Sequence, residues 1–171
     1  MSKWVIWKGW HFSLSNFWQR FILKIGTKPV TYKFNLPKEN WFPYSDPDDL
    51  DINKLAGFSF GWHHVNSVRI GWTPEFKKEG WFTLYFYIYN EGIRTMKKFA
   101  NIKSGEDYSI TISFVEQLKY VSFDMTGGGL APVKASEVFI IPSFRIGYTL
   151  WWYFGGNKTA PKEMVINLKM N

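Results

Sequence analysis

Apolar and polar residues alternate with period two along most of this chain. Phe82, Leu84, Phe86 and Ile88 form one apolar set, Tyr108, Ile110, Ile112 and Phe114 a second, and Met164, Ile166, Leu168 and Met170 a third. Such alternation marks strands with one buried face. Turn signals separate them: Thr73–Gly80, Asn90-Glu91-Gly92 and Ser104-Gly105-Glu106-Asp107. No long segment repeats with the 3.6-residue period of an amphipathic helix. Further strands are predicted at 93–100, 118–125, 138–141 and 145–154. The pattern predicts an all-β fold, an antiparallel two-sheet sandwich of the jelly-roll, lectin-like type. Neither a repeat nor a domain boundary interrupts it, so 1–171 reads as one domain.

The N-terminal forty residues are less regular. Residues 4–12 read as an aromatic strand or arm, and 17–25 fit a helix or a strand. Gly26-Thr27-Lys28-Pro29 is a turn signal before an alternating strand from Val30 to Leu36, which predicts a hairpin around residue 27. Gly127-Gly128-Gly129 reads as a flexible loop. A phosphate cradle would need a following GK[ST] and a helix, and neither is present.

The stretch 57–72, GFSFGWHHVNSVRIGW, gathers His63, His64, Asn66 and Arg69 with Trp62 and Trp72. Its two alternating halves predict a hairpin. A three-residue loop, His64-Val65-Asn66, pairs 62 with 68, 60 with 70 and 58 with 72, which gathers the apolar residues on one face. Asn66 then takes a left-handed position, which asparagine tolerates. Trp62 joins the core in this register, and Gly61 lies across from Arg69. The opposite face keeps His63, Arg69 and Ser59 as a candidate site; a solvated sheet face is the alternative. On the strand after it, Trp81, Tyr85, Tyr87 and Tyr89 form an outward aromatic ladder. Flat rings with polar tips suit sugar stacking and protein interfaces alike.

Composition narrows the chemistry. The chain has 171 residues, enough for a substantial core, and no cysteine, which excludes disulfides and thiol chemistry. Aromatics make up 20 %, with ten tryptophans, too many for the core alone. The net charge is +7, concentrated in residues 1–40, where seven Lys or Arg face one Glu. That basic region is a candidate docking arm, or a lysine-protected sheet edge. No signal peptide and no membrane-spanning run is read. Asp46, Asp48, Asp49 and Asp51 alternate in a proline-rich loop and raise the question of calcium, but the glycine and glutamate of an EF-hand are missing. Adjacent histidines on a strand point apart, so no zinc site and no cofactor is expected.

Two segments, FSFGWHHVNSVRIGW at 58–72 and GYTLWWYFGGNKTAPKEMVINLK at 147–169, together resemble a family of small uncharacterised β-sandwich proteins of Bacteroidetes and their crAss-like bacteriophages. The closing segment there is similar to YFGGN-x-TAPH-(D/E)-M, and Lys162 stands where histidine is usual. The resemblance implies origin and a lectin-like jelly roll, and brings no activity with it.

Three functions follow as expectations. The first is a non-catalytic structural or interaction protein, a bacteriophage virion component that docks on other protein subunits and can form oligomers. It would reside in the virion or the host cytoplasm. The second is a glycan-binding module using His63, His64, Asn66, Arg69, Trp81, Tyr85, Tyr87 and Tyr89. The third is a polysaccharide lyase-like enzyme, with an arginine to neutralise a carboxylate, a base and an acid drawn from His63, Arg69 and Tyr85. A glycosidase is disfavoured because strand-borne carboxylates are scarce. Nucleic-acid binding is disfavoured because no basic residue interleaves the ladder.

Overall fold

A computed structural model describes residues 1–15, 23–25, 27–43 and 51–171. Among them are twelve strands: β1 Ser2–Ile6, β2 Leu23–Ile25, β3 Val30–Asn35, β4 Asn53–Phe60, β5 Ser67–Pro74, β6 Trp81–Asn90, β7 Ile93–Lys103, β8 Asp107–Val115, β9 Tyr120–Gly127, β10 Leu130–Val138, β11 Ile146–Leu150 and β12 Met164–Met170. They form two antiparallel sheets, ordered β1-β12-β3-β8-β9-β10 and β2-β11-β4-β5-β6-β7. The all-β, two-sheet expectation holds. Among the described residues no helix is long and apolar enough to cross a membrane.

The inner faces meet in an aromatic core. Phe60 contacts Phe58 edge-on at 4.9 Å and Phe114 at 5.4 Å, while Phe86 stacks on Phe123 at 4.3 Å. Each comes from an alternating apolar set, because burial of that face is what fixes strand register. Tyr32 reaches across the core to donate to the Gly57 carbonyl at 2.7 Å, and burial raises its pKa.

Four expectations fail in detail. β2 pairs with β11, whereas β3 pairs with β12 and β8, so residues 27–29 cross between sheets and do not close a hairpin. The remainder of 17–25 lies outside the described residues. Gly127–Gly129 are a tight turn with positive φ throughout, not a flexible loop. It opens β10, an edge strand that alternation could not reveal because most of it is exposed; only Phe139 of the predicted 138–141 strand is buried.

The fourth concerns the β4–β5 hairpin. Phe58 pairs with Val68 and Gly57 with Arg69, and the connection is the six-residue 61–66. Ser59 explains the longer loop. Its buried hydroxyl lies 3.0 Å from both the Gly61 and the Asn66 carbonyls, which share its single proton, and it reaches them only if the strands part after Phe60. Gly61, φ +68°, takes the left-handed position assigned to Asn66. Trp62 is therefore 67 % exposed instead of in the core. Phe58, Phe60, Val68, Ile70 and Trp72 are buried as expected.

Candidate functional site

The outer face of the second sheet carries the site. Pairing aligns Leu150, Gly57, Arg69 and Tyr87 in one row, and Tyr148, Ser59, Ser67 and Tyr89 in the next. Arg69 therefore lies across Gly57, not Gly61. A Cβ on Gly57 would stand 2.9 Å from the Arg69 Cγ and 2.3 Å from the Val68 carbonyl oxygen. Glycine is what lets the arginine stem lie flat on the sheet.

A bulge adds a second cation. Strict alternation from Ala56, Phe58 and Phe60 would send Lys54 into the core. The register instead slips between Lys54 and Ala56, with Leu55 as the extra residue, and Lys54 pairs with Gly71 on the Arg69 face. Lys54 is only 7 % exposed. Its ammonium donates to the Gly155 carbonyl at 3.1 Å and sits 4.8 Å above the Tyr87 ring and 5.8 Å from that of Tyr153, within cation–π range.

These groups line a cleft of about 500 Å³ that includes Phe12, His63, His64, Arg94, Tyr89 and Tyr153. The loop 61–66 brings the histidines to one end. Ser67 donates to the His63 carbonyl at 2.6 Å, which fixes the backbone there. The His63 ring lies between Trp62, at 5.1 Å, and His64, at 4.2 Å, and His64 meets the Tyr89 ring edge-on. At the other end Asp51 accepts from the Gly156 and Asn157 amides at 2.9 and 3.0 Å, and so shapes the turn after Tyr153.

The electrostatics are one-sided. Burial, then Arg69 and His64, push the His63 pKa down to about 4, so it is a neutral ring at neutral pH. Burial, then Arg69, push Lys54 down to about 8, while Asp51 pulls the other way. Arg69 is lowered by burial, against the tyrosines around it, and its Nε is buried with no hydrogen-bond partner. Tyr87 is raised by burial and by its hydrogen bond to Tyr89, while the Tyr87 hydroxyl raises Arg94. Among the described residues no Asp or Glu lines the cleft, and none forms an ion pair with Lys54 or Arg69. Nor does any described group of three His, Asp or Glu side chains suit a metal. Asp46, Asp48 and Asp49 of the calcium question lie outside the described residues. The arrangement gathers two guanidinium groups and an ammonium beside tyrosine rings, chemistry that suits an anion.

Of the residues singled out by sequence, His63, His64, Arg69, Tyr87 and Tyr89 converge on the cleft. The others do not. The Asn66 side chain accepts the Glu91 amide at 3.2 Å and holds the loop. Tyr85 is cut off because Ile52 fills the space above Gly71, and its hydroxyl lies 3.4 Å from that of Thr73. Trp81 lies beneath the Lys78 ammonium at 3.4 Å. The ladder is thus divided, with Tyr87 itself buried at 6 % exposure. Lys162 does not line the cleft; it donates to the Trp41 carbonyl at 2.8 Å. Sequence reasoning missed Lys54, Arg94, Tyr153 and Phe12. A lysine inside an otherwise apolar strand pattern was the available signal for Lys54.

No protein-family model matches the sequence, and no curated protein matches it. Solved structures do match in shape. An alginate lyase from Klebsiella pneumoniae superposes with a TM-score of 0.63 at 10 % identity, covering 84 % of this chain and 59 % of that one. An exolytic alginate lyase from Zobellia galactanivorans gives 0.58 at 9 % identity, covering 88 % and 75 %. A Saccharomyces cerevisiae protein of unknown function gives 0.51 at 8 %, covering 88 % and 72 %. The chain thus spans about three fifths of the length of the Klebsiella enzyme. At such identities the likeness is one of fold, and this chain is a jelly-roll sandwich of the kind those lyases share.

Proposed function

We propose that this protein binds an acidic polysaccharide along the outer face of its second sheet, with a sugar carboxylate held between Arg69 and Lys54. The observation that carries this reading is the buried Lys54 beside the partly buried Arg69, whose Nε is buried without a hydrogen-bond partner, both lining a cleft that no described acidic residue lines. Burying cations without a counter-charge is costly, and a bound carboxylate offsets that cost with charge-assisted hydrogen bonds. Tyr89 and Tyr153 add ring edges and hydroxyls suited to sugars, above the buried Tyr87. The fold shared with two alginate lyases supports the same ligand class. Calorimetric titration with uronate oligosaccharides and with neutral glucans tests it. Binding of the acidic series, absent for the neutral one and lost in Arg69→Ala, is expected; equal binding of both, or an unaffected R69A, overturns it.

The neutral His63 favours a second reading, in which the same cleft performs β-elimination. That reaction needs a cation to neutralise the carboxylate, a base for the neighbouring C–H proton and an acid for the leaving oxygen. Arg69, His63 and Tyr89 fill these roles. Ultraviolet absorbance of an unsaturated product checks it, with His63→Gln expected to bind and not turn over. A role as an interacting subunit, including one in a bacteriophage particle, draws on a different surface. Outside the cleft, Leu118, Val138 and Ile93 are 65, 66 and 72 % exposed. Co-purification with particles, lost on introducing charge at Val138, tests that role.

A further inference from the structure

The N-terminal segment that follows β1 is not a free arm. Trp7-Lys8-Gly9-Trp10 is a turn closed by the Trp10 amide on the Trp7 carbonyl at 3.0 Å, and Gly9, φ +81°, supplies the left-handed corner. Main-chain bonds fasten it to the far end of the chain. Gly9 donates to Ala160 at 2.9 Å, Ala160 to Trp10 at 2.9 Å, and Phe154 to His11 at 2.7 Å. His11 stacks on Tyr153 at 5.3 Å and 10°, and its Nδ1 lies 3.0 Å from the Phe154 carbonyl oxygen.

This backbone is rigidly held, yet the rings it presents are open. Trp7, Trp10 and Phe12 are 54, 39 and 43 % exposed. Trp7 meets Trp10 edge-on at 5.9 Å, and Trp10 meets Phe12 at 5.7 Å, so the three form one continuous aromatic surface. Phe12 is also part of the cleft wall, beside Tyr153 and Lys54. The surface therefore begins where the cationic cleft ends and leads away from it, with exposed Lys8 alongside.

We propose that Trp7, Trp10 and Phe12 form a second, stacking subsite that takes the apolar faces of the sugar rings of an acidic chain as it leaves the cleft past Lys54 and Tyr153. This rests on the reading of the cleft as an acidic-glycan site. Three features argue for a sugar. The rings are partly exposed, and the backbone bonds and their mutual edge-on contacts hold them in place, so little ordering entropy is lost on binding. The surface continues a cleft whose charges already select the chain. The adjacent charge is positive, as an acidic chain requires.

The division of labour makes the test specific. Arg69 should govern binding of any length, and the tryptophans only of oligosaccharides long enough to reach them. Affinities are measured for a uronate disaccharide and a uronate octasaccharide with the wild type, R69A, Trp10→Ala and Trp10→Phe. The expected result is that R69A abolishes binding of both. W10A leaves the disaccharide unchanged and weakens the octasaccharide about tenfold, and W10F restores most of the loss. R69A-sensitive binding with W10A unchanged at both lengths, or weakened equally at both, overturns the stacking subsite and leaves the cleft reading standing. A wild type that binds neither length overturns both. Because Trp10 is exposed, unchanged urea midpoints should accompany both Trp10 variants; a W10A that unfolds while W10F folds but fails to recover the octasaccharide also overturns the proposal.

Discussion

Lys54 separates stability from function, and Lys54→Met should expose the conflict. The side chain is 7 % exposed, and its pKa falls from 10.5 to about 8, chiefly through burial and then through Arg69. At 1.36 kcal/mol per tenfold change in the proton equilibrium, holding the charge there costs on the order of 3 kcal/mol. Methionine keeps the length and apolar stem and removes the charge. It also removes the hydrogen bond to the Gly155 carbonyl, a loss of about 1 kcal/mol. The net expectation is a K54M protein more stable than wild type by roughly 2 kcal/mol at pH 7, with weaker affinity for acidic oligosaccharides. The sign of the pH dependence is fixed. Between about 8 and 10.5 the unfolded chain holds a proton on Lys54 that the folded chain has released, so wild-type stability rises with pH across that window. K54M lacks this term, and its advantage should shrink as pH climbs toward 10. Urea unfolding of both proteins at several pH values from 7 to 9.5 measures it, below the range where tyrosines raised by burial, such as Tyr32 and Tyr87, begin to ionise. A K54M less stable than wild type at pH 7, or a difference constant across the window, refutes the reasoning.

Gly57→Ala should destabilise by about 1–3 kcal/mol, because the new methyl meets the Val68 carbonyl and the Arg69 stem with no room to relax; the urea midpoint and acidic-glycan affinity should fall together. Phe60→Ala removes a fully buried ring packed on Phe58, Phe114 and Phe139 and should cost about 3–5 kcal/mol by chemical denaturation. Ser67→Ala breaks the bond to the His63 carbonyl, so about 0.5–1.5 kcal/mol of stability is lost and the resonances of the His63 ring should shift in NMR spectra. Affinity for a uronate oligosaccharide should decline as pH rises through about 8 in the wild type and stay flat there in K54M, since the attracting charge on Lys54 is present below that pKa and absent above it.

The inner half of this sandwich is legible in the sequence because burial of one face writes a period of two. β6, β8 and β12 follow from their alternating apolar sets. β10 does not, because most of its residues face solvent and carry no pattern. The site was legible where a polar residue sits in phase with its strand, as with Arg69, Tyr87 and Tyr89. It was illegible where phase is broken. Lys54 reads as a core position until the bulge at Leu55 is known, and the hairpin register cannot be chosen without knowing that the Ser59 hydroxyl sits between two loop carbonyls. Tyr153 and Phe12 enter only through an isolated pairing between segments more than a hundred positions apart, which local pattern does not encode.

The fastening of 51–54 to 153–157 has a kinetic consequence. Lys54 exchanges main-chain bonds with Tyr153, its ammonium binds the Gly155 carbonyl, Asn53 accepts the Gly155 amide, and Asp51 accepts the two amides after it. All of these close loops of roughly a hundred residues, and such non-local contacts form slowly, as do the longer-range pairings of β12 with β3 and β1. During synthesis, β4 through β10 can pair before the partner of this clamp has left the ribosome. The cleft is therefore completed late, and the binding proposed for it should recover after dilution from denaturant more slowly than the locally paired β5–β10 strands form, a delay set by topology and not by the strength of any contact.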